Sequence, residues 1–136
     1  ERPGFRGWLL DDSVRICLAT GERDILVTLL EGYTPFTNRD RFSALTAEAA
    51  KAELEGDLDN AVNRYAEAAE RWAAFPHALE RGHALIGVGR CLRAIGRELE
   101  ARERLQEARE LFVSLGGVPL VVETDDLLAS ATAKTS

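Results

Sequence analysis

Methionine is absent from the 136-residue sequence, and lysine and cysteine occur only twice each. Methionine is missing even at position 1, from which we expect the chain to be a piece of a longer protein. Fifteen arginines stand against the two lysines, a bias typical of a GC-rich bacterial genome. The sequence has no run of eighteen apolar residues and no signal peptide, so we expect a cytoplasmic protein without a membrane-spanning segment.

Metal and disulfide chemistry are disfavoured by the cysteines and histidines. Cys17 and Cys91 are too few for a disulfide framework and match no zinc spacing. Both fall on the apolar face of a predicted helix, where cysteine behaves as a small buried hydrophobic residue. His77 and His83 are six positions apart, whereas two metal ligands on one helix are typically spaced by about four. We therefore expect no metal and no cofactor.

Nucleic-acid binding and catalysis also find no support. The net charge of −6 is unsuited to phosphate binding, which needs concentrated positive charge. Gly87 and Gly89 resemble part of a phosphate loop, but they lie inside a predicted helix, where close helix packing explains them better. No nucleophile lies in a known catalytic motif, so we expect that the chain is not an enzyme.

An internal repeat appears when the sequence is shifted by 40 residues. The positions that coincide are apolar or glycine in both copies: Ala49 with Gly89, Gly56 with Gly96, Ala61 with Ala101, Tyr65 with Leu105, and Ala68 with Ala108. A weaker copy lies 35 residues earlier and places Gly21 on Gly56. A period of this size indicates stacked helical units, because one helical hairpin cannot bury its apolar stripe alone.

The repeat predicts an all-α fold in a single domain. We expect three antiparallel helical hairpins at about 8–33, 38–75 and 77–115, stacked as a right-handed solenoid, and a capping helix at about 119–131. Residues 1–7 contain proline and glycine without helical periodicity, which predicts an irregular lead-in. A second helix at 23–31 is predicted within the first hairpin.

The repeated residues resemble a known family. Gly-x-x-x-x-Ala at a helix turn, followed by a large residue four positions on and by alanine three after that, resembles the tetratricopeptide repeat. The segment from Glu107 through Gly116-Gly117 to Pro119 is similar to the C-terminal repeats of large bacterial LuxR-type or ATPase–cyclase signalling regulators. The resemblance implies a protein–protein interaction module at the C-terminal end of a signal-transduction or transcription regulator. A regulatory domain that senses a small effector in its groove remains the alternative.

The resemblance also implies where a partner would bind. In tetratricopeptide arrays the first helix of each hairpin lines a concave groove. The residues in that register are Trp8, Asp11, Arg15, Ser43, Thr46, Ala50, Glu53, His83, Ile86, Arg90 and Arg93. The three arginines and the histidine suggest an acidic protein or peptide as partner, because guanidinium groups pair bidentately with carboxylates. Alternatively, these arginines only solvate a polar helix face.

The predicted helix at 23–31 is apolar on nearly all sides. It carries Ile25, Leu26, Val27, Leu29 and Leu30. A helix of this kind needs a neighbour on more than one face. We therefore expect the first hairpin to contact upstream domains of the same full-length chain, and any self-association of the isolated chain to run through this hairpin.

Overall fold

The computed structural model describes the backbone of residues 3–74 and 77–135 and the side chains of residues 10–74 and 77–130. This part of the chain forms seven α-helices and no strand. The helices are α1 (Pro3–Thr20), α2 (Arg23–Glu31), α3 (Asn38–Leu54), α4 (Leu58–Ala73), α5 (Ala78–Ala94), α6 (Glu98–Ser114) and α7 (Val118–Thr135). The all-α prediction is confirmed. None of these helices is both long enough and apolar enough to cross a membrane.

Two predicted boundaries are wrong, both at the ends of the chain. α1 begins at Pro3, although the sequence predicts an irregular segment through residue 7. Proline is favoured at the first helical position, where its missing N–H has no partner to lose, so this residue begins the helix instead of preventing it. α7 continues to Thr135, beyond the predicted end at 131. The predicted end of the second hairpin, at residue 75, lies outside the described residues.

Glycines with positive φ end four of the helices in the same way. Gly21, Gly56, Gly96 and Gly116 follow α1, α3, α5 and α6, with φ between 70° and 88°. In all four, the N–H of the residue after the glycine donates to the carbonyl five residues earlier, at 2.9–3.0 Å. This Schellman arrangement satisfies carbonyls that the helix end leaves free and turns the chain back. It joins α1 to α2, α3 to α4, α5 to α6 and α6 to α7 through tight turns.

Close backbone approach occurs only between a helix and the next helix or the next but one along the described chain. The odd-numbered helices contact one another in sequence, α1 with α3, α3 with α5 and α5 with α7. The even-numbered helices α2, α4 and α6 make no such contacts with each other. The odd-numbered helices therefore lie side by side and form one surface of the molecule.

Small residues bring these helices close together. α3 packs closely between its neighbours through four buried alanines, Ala47, Ala49, Ala50 and Ala52. On α5, a Cβ atom added to Gly89 would lie 2.6 Å from Leu105 Cγ. Apart from the exposed turn glycines Gly56 and Gly96, the other positions that coincide in the repeat are at most 1% exposed: Ala49, Ala61, Tyr65, Ala68, Ala101, Leu105 and Ala108. The repeated residues thus lie at the helix–helix contacts, and the polar positions between them are left for the surface.

Candidate interaction groove

A groove of about 620 Å³ lies on the surface formed by the odd-numbered helices, with one side chain added from α4. Its apolar lining comes from Val14, Leu18, Ala19, Leu54, Ile86 and Leu120. Its polar lining comes from Asp11, Arg15, Thr46, Glu53, Tyr65, Glu80, His83, Arg90 and Glu123. Apolar walls with a few fixed polar groups are typical of a binding site.

An ion pair between Glu53 and Arg90 connects α3 to α5 inside the groove. Arg90 donates from Nε and Nη2 to the two carboxylate oxygens of Glu53, both at 2.9 Å. Tyr65 donates its hydroxyl to the same carboxylate at 2.7 Å. Burial alone would raise the pKa of Glu53, but these donors and the charge of Arg90 hold it below its usual value. Glu53 is therefore a carboxylate at neutral pH, with its guanidinium partner in place.

A second ionic contact joins α1 to α5 at Arg15. Its Nη1 lies 3.3 Å from both carboxylate oxygens of Glu80, and its Nη2 donates to Asp12 at 2.9 Å. Glu80 is almost fully buried, with 7% of its side chain exposed, whereas Arg15 keeps 31%. One guanidinium is thus shared by two carboxylates that lie 68 residues apart in the sequence.

Asp11 is the most perturbed carboxyl group of the groove. Only 4% of the residue is exposed, and Arg39 donates to its Oδ2 at 3.2 Å. Burial, followed by repulsion from Glu80, raises the pKa of Asp11 to about 6. Ser43, Arg39 and Arg15 act in the opposite direction but do not offset those two effects. When Asp11 is ionised, the groove therefore holds a buried negative charge close to a second carboxylate, which is unfavourable.

His83 contributes no positive charge to the groove at neutral pH. Burial, together with the nearby charges of Arg15 and Arg90, lowers its pKa to about 4. Its ring lies against Phe112, with the ring centroids 5.6 Å apart. The side chain acts here as a neutral, partly apolar element of the lining.

The structure brings together seven of the eleven residues that the sequence places in the groove: Asp11, Arg15, Thr46, Glu53, His83, Ile86 and Arg90. Ser43 and Ala50 are fully buried and do not line it, because α1 and α5 pack against both sides of α3. Arg93 instead donates to the backbone carbonyl of Leu127 on α7, at 2.8 Å. Trp8 lies outside the residues whose side chains are described.

Several lining residues are missed by reasoning from the sequence. Glu80 lies one helical turn before His83, so continuing the same register toward the start of α5 would have found it. Leu120 and Glu123 enter because α7 packs against α5, and Tyr65 enters from α4. The repeat marks Tyr65 as a packing position but not as a groove residue, and no periodic signal marks Leu120 or Glu123, since their place in the groove depends on how separate helices pack.

Metal ligation and thiol chemistry have no candidate group in the part of the chain that is described. No set of three or more His, Cys, Asp or Glu residues there is placed to hold a metal ion. Cys17 and Cys91 are both buried and unbridged. Burial, and then the charge of Glu53, raises the pKa of the Cys91 thiol to about 12. This thiol is therefore unreactive near neutral pH.

No protein-family model matches the chain, and no curated protein or solved structure matches it at a significant level. Its function must therefore be argued from the groove and from the repeat pattern of its sequence.

Proposed function

We propose that the chain is a non-catalytic, tetratricopeptide-like interaction module that holds an extended segment of another protein in its groove. The observation that carries this proposal is the groove itself, which α1, α3, α5 and α7 line in succession. An extended peptide lying across these helices would contact an apolar side chain and a fixed charge from each in turn. The absence of a catalytic motif in the sequence supports a binding role over an enzymatic one.

The same proposal includes the finer architecture. Three hairpins, α1–α2, α3–α4 and α5–α6, would stack as a right-handed solenoid with α7 as a cap. This architecture is supported by the 40-residue sequence period, by the common Schellman endings, and by close backbone approach limited to helices that are next or next but one in the chain.

The cellular setting is proposed from the sequence resemblance alone. The segment 107–119 is similar to the end of large bacterial regulators, so we assign the chain to the C-terminal part of a cytoplasmic signal-transduction or transcription regulator. In that setting, upstream domains of the same chain would contact the first hairpin, and no nucleic acid, membrane or cofactor would bind this region.

A regulatory domain that senses a small effector is the alternative. The groove volume of about 620 Å³ falls within the range of about 300–1,000 Å³ that small-molecule sites occupy. An effector bound there would contact α1, α5 and α7 together and could change how they pack. This alternative differs from the first in ligand size, which an experiment can distinguish.

A displayed library of random peptides, selected on the whole chain, tests the proposed function. We expect enriched peptides whose binding is lost in Ala19→Trp, because Ala19 is exposed and lines the groove. The matched control is Ala66→Trp, an exposed alanine on α4 outside the groove, which should leave binding unchanged. Equal loss in both variants, or no enriched peptide, contradicts the proposal. Small molecules that raise the melting temperature while no peptide is enriched would favour the effector-sensing alternative.

A further inference from the structure

The charges that line the groove do not balance. Four carboxylates face two guanidinium groups: Asp11, Glu53, Glu80 and Glu123 against Arg15 and Arg90. The imidazole of His83 is neutral near pH 7 and does not change this count. The lining therefore carries more negative than positive charge once Asp11 is ionised.

Both guanidinium groups are already occupied. Arg90 makes two hydrogen bonds to Glu53, and Arg15 is shared between Glu80 and Asp12. An acidic ligand would have to share a guanidinium group that a protein carboxylate already neutralises, and that carboxylate would repel it. Displacing the carboxylate would leave it in a partly buried place without its partner, which is strongly unfavourable.

The negative charge is less fully compensated, although Asp11 pairs with Arg39 at 3.2 Å and Glu80 with Arg15 at 3.3 Å. Asp11 and Glu80 are both almost completely buried, and they repel each other across the contact between α1 and α5. Glu123 is exposed at the edge of the groove on α7 and has no ion-pair partner among the described side chains. A cationic group entering the groove would reduce the first repulsion and give Glu123 a partner.

We infer that the groove selects a segment carrying positive charge, an arginine or lysine side chain flanked by apolar residues. This inference rests on the proposed function and names the charge of the segment that the groove holds. The flanking apolar residues would pack on Leu18, Leu54 and Leu120. The sign is opposite to the one expected from the arginines alone, because that expectation leaves out the carboxylates that neutralise them.

Three labelled peptides test the inference. They share one leucine–serine scaffold of nine residues and carry two arginines, two glutamines or two glutamates at the same positions. Fluorescence anisotropy should show the arginine peptide binding roughly tenfold tighter than the glutamate peptide, equivalent to about one partly buried charge pair. The preference should weaken with added salt. Equal or tighter binding of the glutamate or glutamine peptide overturns the inference.

Two charge-reversal variants of the chain locate the effect. Glu123→Lys should weaken the arginine peptide about tenfold without affecting folding, because Glu123 is exposed and lines the groove. Glu110→Lys changes the net charge equally, at an exposed position on α6 outside the groove, and should change binding less than about twofold. Equal effects of the two variants would reduce the preference to the overall charge of the molecule and overturn the inference.

The outcomes separate this inference from the proposed function. A glutamate peptide that binds best and is blocked by Ala19→Trp overturns the inferred charge, while the groove keeps its role as a peptide site. Library peptides that bind the groove but carry no basic residues would likewise overturn the inferred charge and leave the groove as a peptide site. If the library gives no groove-dependent binder at all, the proposed function itself fails.

Discussion

Glu53 and Arg90 form a two-point ion pair inside the groove, with both N–O distances at 2.9 Å. The pair joins α3 to α5, and the hydroxyl of Tyr65 extends the connection to α4. Side-chain exposure is 17% for Glu53 and 28% for Arg90, so both charges have lost much of their water. Such a pair adds little net stability, but either member alone is costly. Its main effect is to fix the relative position of three helices that shape the groove.

Removing one partner of this pair should therefore destabilise the fold more than removing an exposed pair. We expect Arg90→Met to lower the free energy of unfolding by about 2–4 kcal/mol, because it leaves Glu53 unpaired. The double variant Glu53→Gln/Arg90→Met should recover part of that loss. Arg109→Met removes the exposed pair with Asp125 and should change stability much less. Urea unfolding measures all three, and equal losses in the two single variants would contradict the assigned role.

Gly87 marks a contact in which an added methyl group cannot fit. A Cβ atom there would lie 2.6 Å from two ring carbons of Tyr65. Gly87→Ala should gain about 1 kcal/mol in helix propensity but lose about 1–3 kcal/mol through overpacking, for a net loss of stability. At Gly32 the nearest atoms lie 3.8 Å away, so Gly32→Ala should be neutral or slightly stabilising. Thermal unfolding distinguishes the two, and a stabilised Gly87→Ala would show that the ring moves aside freely.

Much of the fold could be predicted from sequence because local chemistry sets it. The second helix is predicted at 23–31 and observed at Arg23–Glu31, shortly after Gly21, whose φ of 72° ends α1. Glycine marks a helix end through its own backbone freedom, so its signal needs no tertiary information. The start of α1 differs from the prediction because residues 1–7 contain proline and glycine without helical periodicity, whereas Pro3 occupies the first helical position, where proline is favoured.

The charge pattern of the groove could not be predicted, because it depends on contacts between distant segments. Helical spacing places Arg15 and Arg90 on one surface. It does not show that Glu80, 65 residues from Arg15, meets its guanidinium, or that Glu53 meets Arg90. An arginine counted without its partner suggests an acidic ligand, whereas the pairs in the structure favour a basic one.

Ala101 lies at a close contact between α5 and α6. It is fully buried, and a Cβ atom on Gly89 would come within 3.4 Å of its carbonyl oxygen. Ala101→Glu should therefore cost several kcal/mol, because it buries an unpaired charge in a packed contact. The neighbouring change Arg102→Glu, at a partly exposed position, should alter stability by less than about 0.5 kcal/mol. Similar melting temperatures for the two variants would contradict the packing at this contact.

From residue 10 onward, where its side chains are described, the first hairpin exposes three large apolar side chains, Ile16, Ile25 and Leu29, at 63%, 52% and 37%. We expect any self-association of the isolated chain to bury this surface, so Ile25→Asp should lower the mass observed by light scattering at high concentration. Ile25 is a better probe than Val27, which is already partly buried. Leu99→Asp, at a 78% exposed position on α6, is the control and should leave the mass unchanged. A strictly monomeric wild-type chain, or equal effects of both variants, would contradict the expectation.

Asp11 should make stability fall as the pH rises through the weakly acidic range. The groups that act on its carboxylate are Glu80 on α5, Ser43 and Arg39 on α3, and Arg15 on α1. Its pKa rises from an ordinary 3.8 to about 6 on folding, so the folded state binds the proton more tightly than the unfolded state. The stabilisation from that proton is complete below about 4 and is lost as the pH passes through about 6. The loss amounts to about 3 kcal/mol at most.

Asp11→Asn isolates this contribution, because asparagine resembles the protonated acid in shape and does not titrate. Wild type and variant should have similar free energies of unfolding near pH 4, and the variant should become the more stable of the two as the pH rises to 8. Titrating groups that do not interact with Asp11, including Glu53 with its lowered pKa, are common to both proteins and cancel in the difference. Urea unfolding at four pH values between 4 and 8 gives the comparison. If the difference in stability does not change with pH, the carboxyl group of Asp11 titrates alike in the folded and unfolded chains. If the wild type instead becomes the more stable protein as the pH rises, the charges of Arg39 and Arg15 outweigh burial and the repulsion from Glu80.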